Sequence, residues 1–173
     1  MPDLHWQDQL IHQATRAVGS HTYWRKHRNE FFGSAGLHLA VFVQPYLDFL
    51  LEGRKTIESR FGVQRCAPHG RVAPGDIVFL KVSGGPVVGL CRINEIWSFD
   101  LRATSIATIR ERFARELCAE DPEFWQAREH ATLATLMRVD QVAPTSPIQI
   151  PKRDRRGWVT LRCSSPLFAG VEA

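Results

Sequence analysis

The chain has 173 residues, 44% apolar and 23% charged; this is the size of one ordinary domain with a sizeable core, and it excludes a disordered polymer. Its net charge of +4 is modest, no apolar run is long enough to cross a bilayer, and the first residues lack an uninterrupted apolar signal segment, so a cytoplasmic protein with no membrane partner is expected. Cys66, Cys91, Cys118 and Cys163 are scattered without a C-x-x-C pair; Cys66 and His69 have ligand-like spacing but no second pair to complete a tetrahedral site, so no metal or other cofactor is expected.

In chain order, Leu4, Ile11, Ala14 and Val18, with Leu10 beside them, follow helical spacing until Gly19-Ser20 stops it. This helix could dock on the rest of the chain, pair two copies into a homodimer or lengthen a binding surface, and docking is the default. Tyr23-Trp24-Arg25-Lys26-His27-Arg28 then sets cations beside aromatic rings, with no clear periodic element around it. Gly33-Ser34-Ala35-Gly36 predicts a flexible joint before a strand over 37–43. Residues 45–52 read as a short helix, with Pro45 at its first position and Gly53 just past its end. Residues 56–61 alternate as a half-buried strand, and a loop of turn formers fills 66–75.

Strands are predicted over 76–82 and 87–97, joined at the tight turn Ser83-Gly84-Gly85-Pro86. Ile106, Ile109, Phe113 and Leu117 form the apolar stripe of a helix, and Asp121-Pro122-Glu123 starts another with Asp121 as its N-cap. Residues 133–142 read as a strand, Pro144, Pro147 and Pro151 punctuate a loop, and 157–163 close the sheet. Strands on both sides of a helical insertion indicate α+β rather than a parallel α/β sheet. No internal repeat and no glycine-rich phosphate loop appears, which argues against nucleoside-triphosphate chemistry.

The densest chemistry lies in Gly53-Arg54-Lys55-Thr56-Ile57-Glu58-Ser59-Arg60. On the strand predicted there, Glu58 and Arg60 share one face, about 7 Å apart along the chain, and Lys55 at the turn can lean over them. The pattern G-x-K-x-x-E-x-R after a short helix resembles the signature of the ASCH family (activating signal cointegrator homology), relatives of PUA domains. Leu39-Ala40-Val41-Phe42-Val43-Gln44-Pro45-Tyr46-Leu47, Pro74-Gly75-Asp76-Ile77-Val78-Phe79-Leu80-Lys81 and Lys152-Arg153-Asp154-Arg155-Arg156-Gly157-Trp158-Val159 also fit it, in order.

The resemblance spans roughly residues 37–163. It implies a PUA-like small mixed β-barrel with peripheral helices, and a cleft floored by the lysine and the glutamate. The chain then divides into an N-terminal helical extension and linker at 1–36, an ASCH/PUA-like domain at 37–165 and a C-terminal tail at 166–173. The family is associated with RNA or other nucleic-acid binding, and in some members with hydrolysis of modified cytidines or of RNA.

Three readings of the charges stay open. In the plainest, Glu58 and Arg60 form an ion pair capping a barrel end while Lys55 is merely solvated. In a binding module, with RNA as the expected partner, Lys55 and Arg60 meet phosphates or a base edge, and Glu58 accepts from a base amino group or holds Arg60. Lys81, Ser83 and Gly84 then line the cleft, and the basic clusters extend it through Arg25 and Lys26 and through Lys152, Arg153 and Arg155. Trp158 sits in an alternating core-like stretch, whereas Trp24 could equally stack on a base or fill a core.

In a metal-independent hydrolase, acting on RNA or on a modified cytidine, Lys55 and Glu58 are the catalytic pair, as general base and water-orienting carboxylate. The acetylcytidine-hydrolysing relatives imply a threonine three residues past the lysine and a downstream glutamate. Here Glu58 occupies the threonine's place, and Glu120 and Glu123 both remain open as the downstream acid. His38, His69 and His130 lie near predicted strand ends and are read as packing residues.

Overall fold

The computed structural model describes residues 4–152 and 155–164. Six strands form one mixed sheet, β1 (Leu37–Phe42), β2 (Ile57–Gly62), β3 (Ile77–Val82), β4 (Val87–Asp100), β5 (Leu133–Ile148) and β6 (Trp158–Arg162), in the spatial order β2-β5-β4-β3-β1-β6. Only the β1–β3 pair is parallel; the other neighbours are antiparallel. Five helices accompany them, α1 (Leu4–Ala17), α2 (Thr22–His27), α3 (Tyr46–Leu51), α4 (Ile106–Phe113) and α5 (Pro122–Gln126), with a 3-10 turn at Arg28–Phe32. This is an α+β half-barrel, in keeping with the small mixed β-barrel and peripheral helices that the resemblance implied.

The curl follows from burial on both faces. All of Ile77, Val78, Phe79 and Leu80 are buried, and their alternation assigns them to two different cores. On the outer face, Leu37, Leu39, Ile77 and Phe79 pack against Leu10, Ala14, Val18, Trp24 and Phe31 of the N-terminal helices. Inside the curl, Phe42, Val78, Leu80, Met137 and Trp158 pack around Leu47 and Leu50 of α3. A third core sets Ile57 and Leu136 under Ile109, Phe113, Phe124 and Trp125 of α4 and α5.

The sheet ladder leaves β2 and β6 as its two edges, and Arg60 ties the edges together. From β2 its guanidinium donates to Val41 O of β1 at 3.0 Å and to Gly157 O, just before β6, at 3.1 Å. A side chain thus bridges the seam where backbone pairing stops.

Several local expectations change. The stretch around Trp24 is helical: His21 caps α2, and Trp24 is fully buried, its Nε1 donating to Gln141 O at 2.7 Å. The joint over 33–36 is tied down, since Gly36 N donates to Asp76 Oδ1 at 3.0 Å and Arg162 Nε to Ala35 O at 2.9 Å. A Cβ at Gly36 would come within 2.5 Å of the Asp76 carboxylate, so the glycine is needed for close approach.

Pro144 and Pro147 lie within β5 rather than in a loop. The β2 partner ends at Arg138, so beyond it β5 pairs only with β4, across register shifts, where a residue without an N–H is tolerated.

Candidate functional site

The junction after α3 positions the site. Gly53 takes φ +77°, a left-handed conformation that ends the helix, and Gly53 N donates to Leu50 O at 3.1 Å. Lys55 N then returns to Phe49 O at 2.9 Å, which turns the lysine side chain inward just before β2 begins. On β2 the alternation splits the strand: Ile57 and Phe61 face the third core, while Glu58 and Arg60 face the curl.

Lys55 is 3% exposed and Glu58 7%. The ammonium donates to Ile57 O at 2.6 Å and to Leu117 O at 3.4 Å, and lies 3.2 Å from Glu58 Oε2. Glu58 Oε1 lies 2.8 Å from Arg60 Nε, off the N–H axis, so that Nε–H has no aligned acceptor. The Arg60 guanidinium also covers Phe42 at 5.0 Å and Trp158 at 5.5 Å from the ring centroids. The plain ion pair is therefore present, but Lys55 is not solvated. It belongs to a triad in which one buried carboxylate sits between the buried Lys55 and the half-buried Arg60.

The triad floors a cleft of about 410 Å³ walled by Phe42, Val43, Tyr46, Phe61 and Phe124. A third cation stands on its rim. Arg128, in the turn after α5, donates to Phe124 O at 2.7 Å and lies over the Phe124 ring at 3.6 Å. Burial pulls its guanidinium below the ordinary arginine value, with Arg60 adding to the fall and Tyr46 and Glu58 opposing it. Lys55, Arg60 and Arg128 thus meet the single carboxylate Glu58 among the lining residues, an excess of positive charge beside aromatic rings.

The remaining residues named from sequence fall elsewhere. Lys81 alternates onto the outer face, away from the cleft lining, and donates to Val82 O and Gly85 O. Burial pulls the Lys81 ammonium below its ordinary value, and Lys152 nearby adds to this. Ser83 and Gly84 are exposed at the β3–β4 turn, outside the cleft lining. Arg25 and Lys26 are exposed on α2, Arg155 is exposed, Lys152 is half-buried, and Arg153 lies outside the described residues. Glu120 and Glu123 are both exposed and do not line the cleft.

Sequence reasoning missed Arg128, Tyr46, Phe61 and Phe124. The one available signal was the four-residue spacing of Phe124 and Arg128, which puts them on one helical face.

The three histidines named from the sequence are engaged or remote. His38 is fully buried: its Nε2 lies 2.9 Å from Asp76 Oδ2, and its Nδ1 accepts from Trp158 Nε1 at 3.3 Å. His69 Nδ1 lies 3.0 Å from Thr135 Oγ1, and His130 is exposed beside Glu129. A larger depression of about 720 Å³ beside the 33–36 joint is lined by Glu30, Asp76 and Arg92; Glu30 and Arg92 pair with each other, and Asp76 is hydrogen-bonded to His38. Among the described residues no three His, Cys, Asp or Glu side chains gather in a ligand-like group, and no helix is long and apolar enough to cross a membrane.

No family model matches the sequence, and neither does any curated protein sequence. Solved structures do match. The ASCH protein from Zymomonas mobilis is 16% identical, with a TM-score of 0.58 over 73% of this chain and 87% of that one. A tyrosine-to-phenylalanine mutant of the same protein is 17% identical, with a TM-score of 0.56 over 73% and 90% of the two chains. A serine-to-alanine mutant is 16% identical, with a TM-score of 0.59 over 75% and 90%.

The chain has the ASCH fold. At this identity the likeness is one of architecture, and the roles of the side chains rest on the geometry of this ASCH barrel itself.

Proposed function

We propose that the cleft binds nucleic acid, with single-stranded RNA as its ligand. The observation that carries this reading is the composition of the cleft: Lys55, Arg60 and Arg128 converge on one carboxylate, beside the rings of Tyr46, Phe61 and Phe124. Excess cations suit backbone phosphates, and aromatic walls suit unstacked bases. Glu58 holds Lys55 and Arg60 in place, and its remaining acceptor capacity suits a base amino group. A volume of about 410 Å³ is in the range of small-ligand pockets, which fits one nucleotide unit of a strand.

Lys55 suits a fixed cation better than a general base. Its ammonium faces two carbonyls and a carboxylate, whereas a base needs a free lone pair facing the substrate. A second reading, a metal-independent hydrolase acting on RNA or on a modified cytidine, is favoured by one feature. A buried carboxylate on the floor of a cleft is not needed to hold phosphate, and it could orient a water molecule.

Arg128→Ala is the clean test, because Arg128 lies on the rim and its removal leaves the triad in place. In a fluorescence titration with single-stranded RNA over a salt series, the substitution is expected to weaken binding about tenfold and to flatten the salt slope by about 0.7. Unchanged affinity and slope would remove the cleft from the binding surface. For the hydrolase reading, Glu58→Gln is expected to abolish turnover while retaining binding; full turnover in that variant would take Glu58 out of the chemistry.

A further inference from the structure

A second basic and aromatic groove lies in the N-terminal helices, outside the residues that carry the signature. Phe31 and Phe32 are neighbours with opposite fates. Phe31 is fully buried, packing against Trp24 and Phe79, whereas Phe32 is 54% exposed and turns out of the fold. The Phe32 ring meets the ring of His12 on α1, 5.1 Å away and tilted by 43°. Together they border a groove of about 530 Å³ whose other lining includes Arg16 from α1 and Arg28 and Asn29 from the 3-10 turn.

The sequence builds this surface locally. Leu10, Ala14 and Val18 bury one face of α1 in the outer core. His12 and Arg16, four residues apart, therefore share another, exposed face. Arg28 and Phe32 bring a second cation and the ring to meet it. No carboxylate lines the groove.

Packing alone does not account for Phe32. Large exposed apolar side chains among the described residues are Phe32, Val43 and Val63, and Val43 lines the cleft already described. A solvent-facing ring that shares its groove with two exposed guanidinium groups combines a stacking face with two phosphate partners.

We propose that this groove is a second contact for single-stranded nucleic acid, with Arg16 and Arg28 on backbone phosphates and one base stacked on Phe32 beside His12. The inference rests on reading the cleft as a nucleic-acid site, and it extends that surface to the N-terminal helices. A duplex, whose bases are already stacked, would use the two cations but not the ring.

The test is a fluorescence titration of the full chain with an end-labelled 20-nucleotide single-stranded RNA over a salt series. Four proteins are compared: wild type, Phe32→Ala, the double variant Arg16→Ala with Arg28→Ala, and Arg128→Ala in the cleft. Phe32→Ala is expected to weaken binding about fivefold or more. The double variant is expected to flatten the salt slope by about 1.4, at about 0.7 per lost phosphate contact. All three groove residues are exposed, so the melting temperature should stay within a few degrees of wild type and serves as the check on folding.

If Arg128→Ala weakens binding and both groove variants leave it unchanged, the groove is overturned and the cleft stands. If the groove variants alone lose affinity, the groove stands and the cleft reading falls. If wild type does not bind, both fall together. Equal competition by duplex and single strand would overturn stacking on Phe32.

Discussion

Two polar clusters in this half-barrel are each built round a buried carboxylate and differ in how they close. In one, Asp76 accepts from Gly36 N at 3.0 Å, from Ala73 N at 2.8 Å and pairs with His38 at 2.9 Å. The second nitrogen of His38 is satisfied by Trp158, so each group meets its partner within the protein. In the other, Glu58 lies between Lys55 and Arg60, Arg128 stands above, and the cluster opens onto the cleft. The first cluster has its hydrogen-bonding groups engaged within the protein, whereas the second sets three cations against one carboxylate at a cavity. Burial and polar pairing are common to both clusters; surplus charge facing a cavity distinguishes the second and is the ground on which it is proposed as the site.

The comparison can be broken at either cluster. The largest effect is expected from Asp76→Ala, which leaves two backbone N–H groups and His38 without their acceptor. A loss of about 3 kcal/mol or more in denaturant unfolding is expected, while the protein that remains folded binds RNA as wild type does. Reduced affinity of the folded fraction would mean that the closed cluster also serves the ligand.

Lys55→Met should lower both quantities. Stability is expected to fall by about 2 kcal/mol, because Ile57 O, Leu117 O and Glu58 lose a shared donor, and RNA affinity should fall with it. A loss of stability with unchanged affinity would place the triad in the same class as Asp76.

The smallest effect is expected at an exposed pair that belongs to neither cluster. Hydrogen bonds from the Arg102 side chain and backbone hold the Asp100 carboxyl down at about 2. A depressed carboxylate contributes stability above its unfolded value of about 3.9, and that contribution is lost as pH falls through the folded value. Arg102→Ala should therefore flatten the acid limb of stability between about pH 4 and 2, and leave RNA affinity at neutral pH untouched. Loss of affinity there would show that surface charge in general, rather than the cleft, governs binding.

Much of the architecture was legible because period-two alternation carries it. The face shared by Glu58 and Arg60, the αL glycine at Gly53 and the Asp121 cap of α5 all follow from local rules. What local rules could not supply is which elements meet across the fold. Arg128 and Phe124 enter the cleft because α5 packs beside β2, a contact with no trace in the spacing of either. Lys81 leaves the cleft because the N-terminal helices cover the Phe79 face of β3, so the same alternation that buries Phe79 carries the lysine outward. Solvation of Lys55 was one of the readings left open by its position in a turn; the side chain is buried, and the chain around Leu117 supplies it a carbonyl 62 residues away.

The most direct measurement is a fluorescence anisotropy time course with end-labelled single-stranded RNA, at low salt and with chelator present, comparing wild type with Arg128→Ala. A rise that holds steady in wild type and is markedly smaller in the variant is the predicted result. No rise in wild type, or an equal rise in both proteins, would contradict the cleft as the binding site. A rise that decays below its starting value would show metal-independent cleavage, and the hydrolase would replace the binding module.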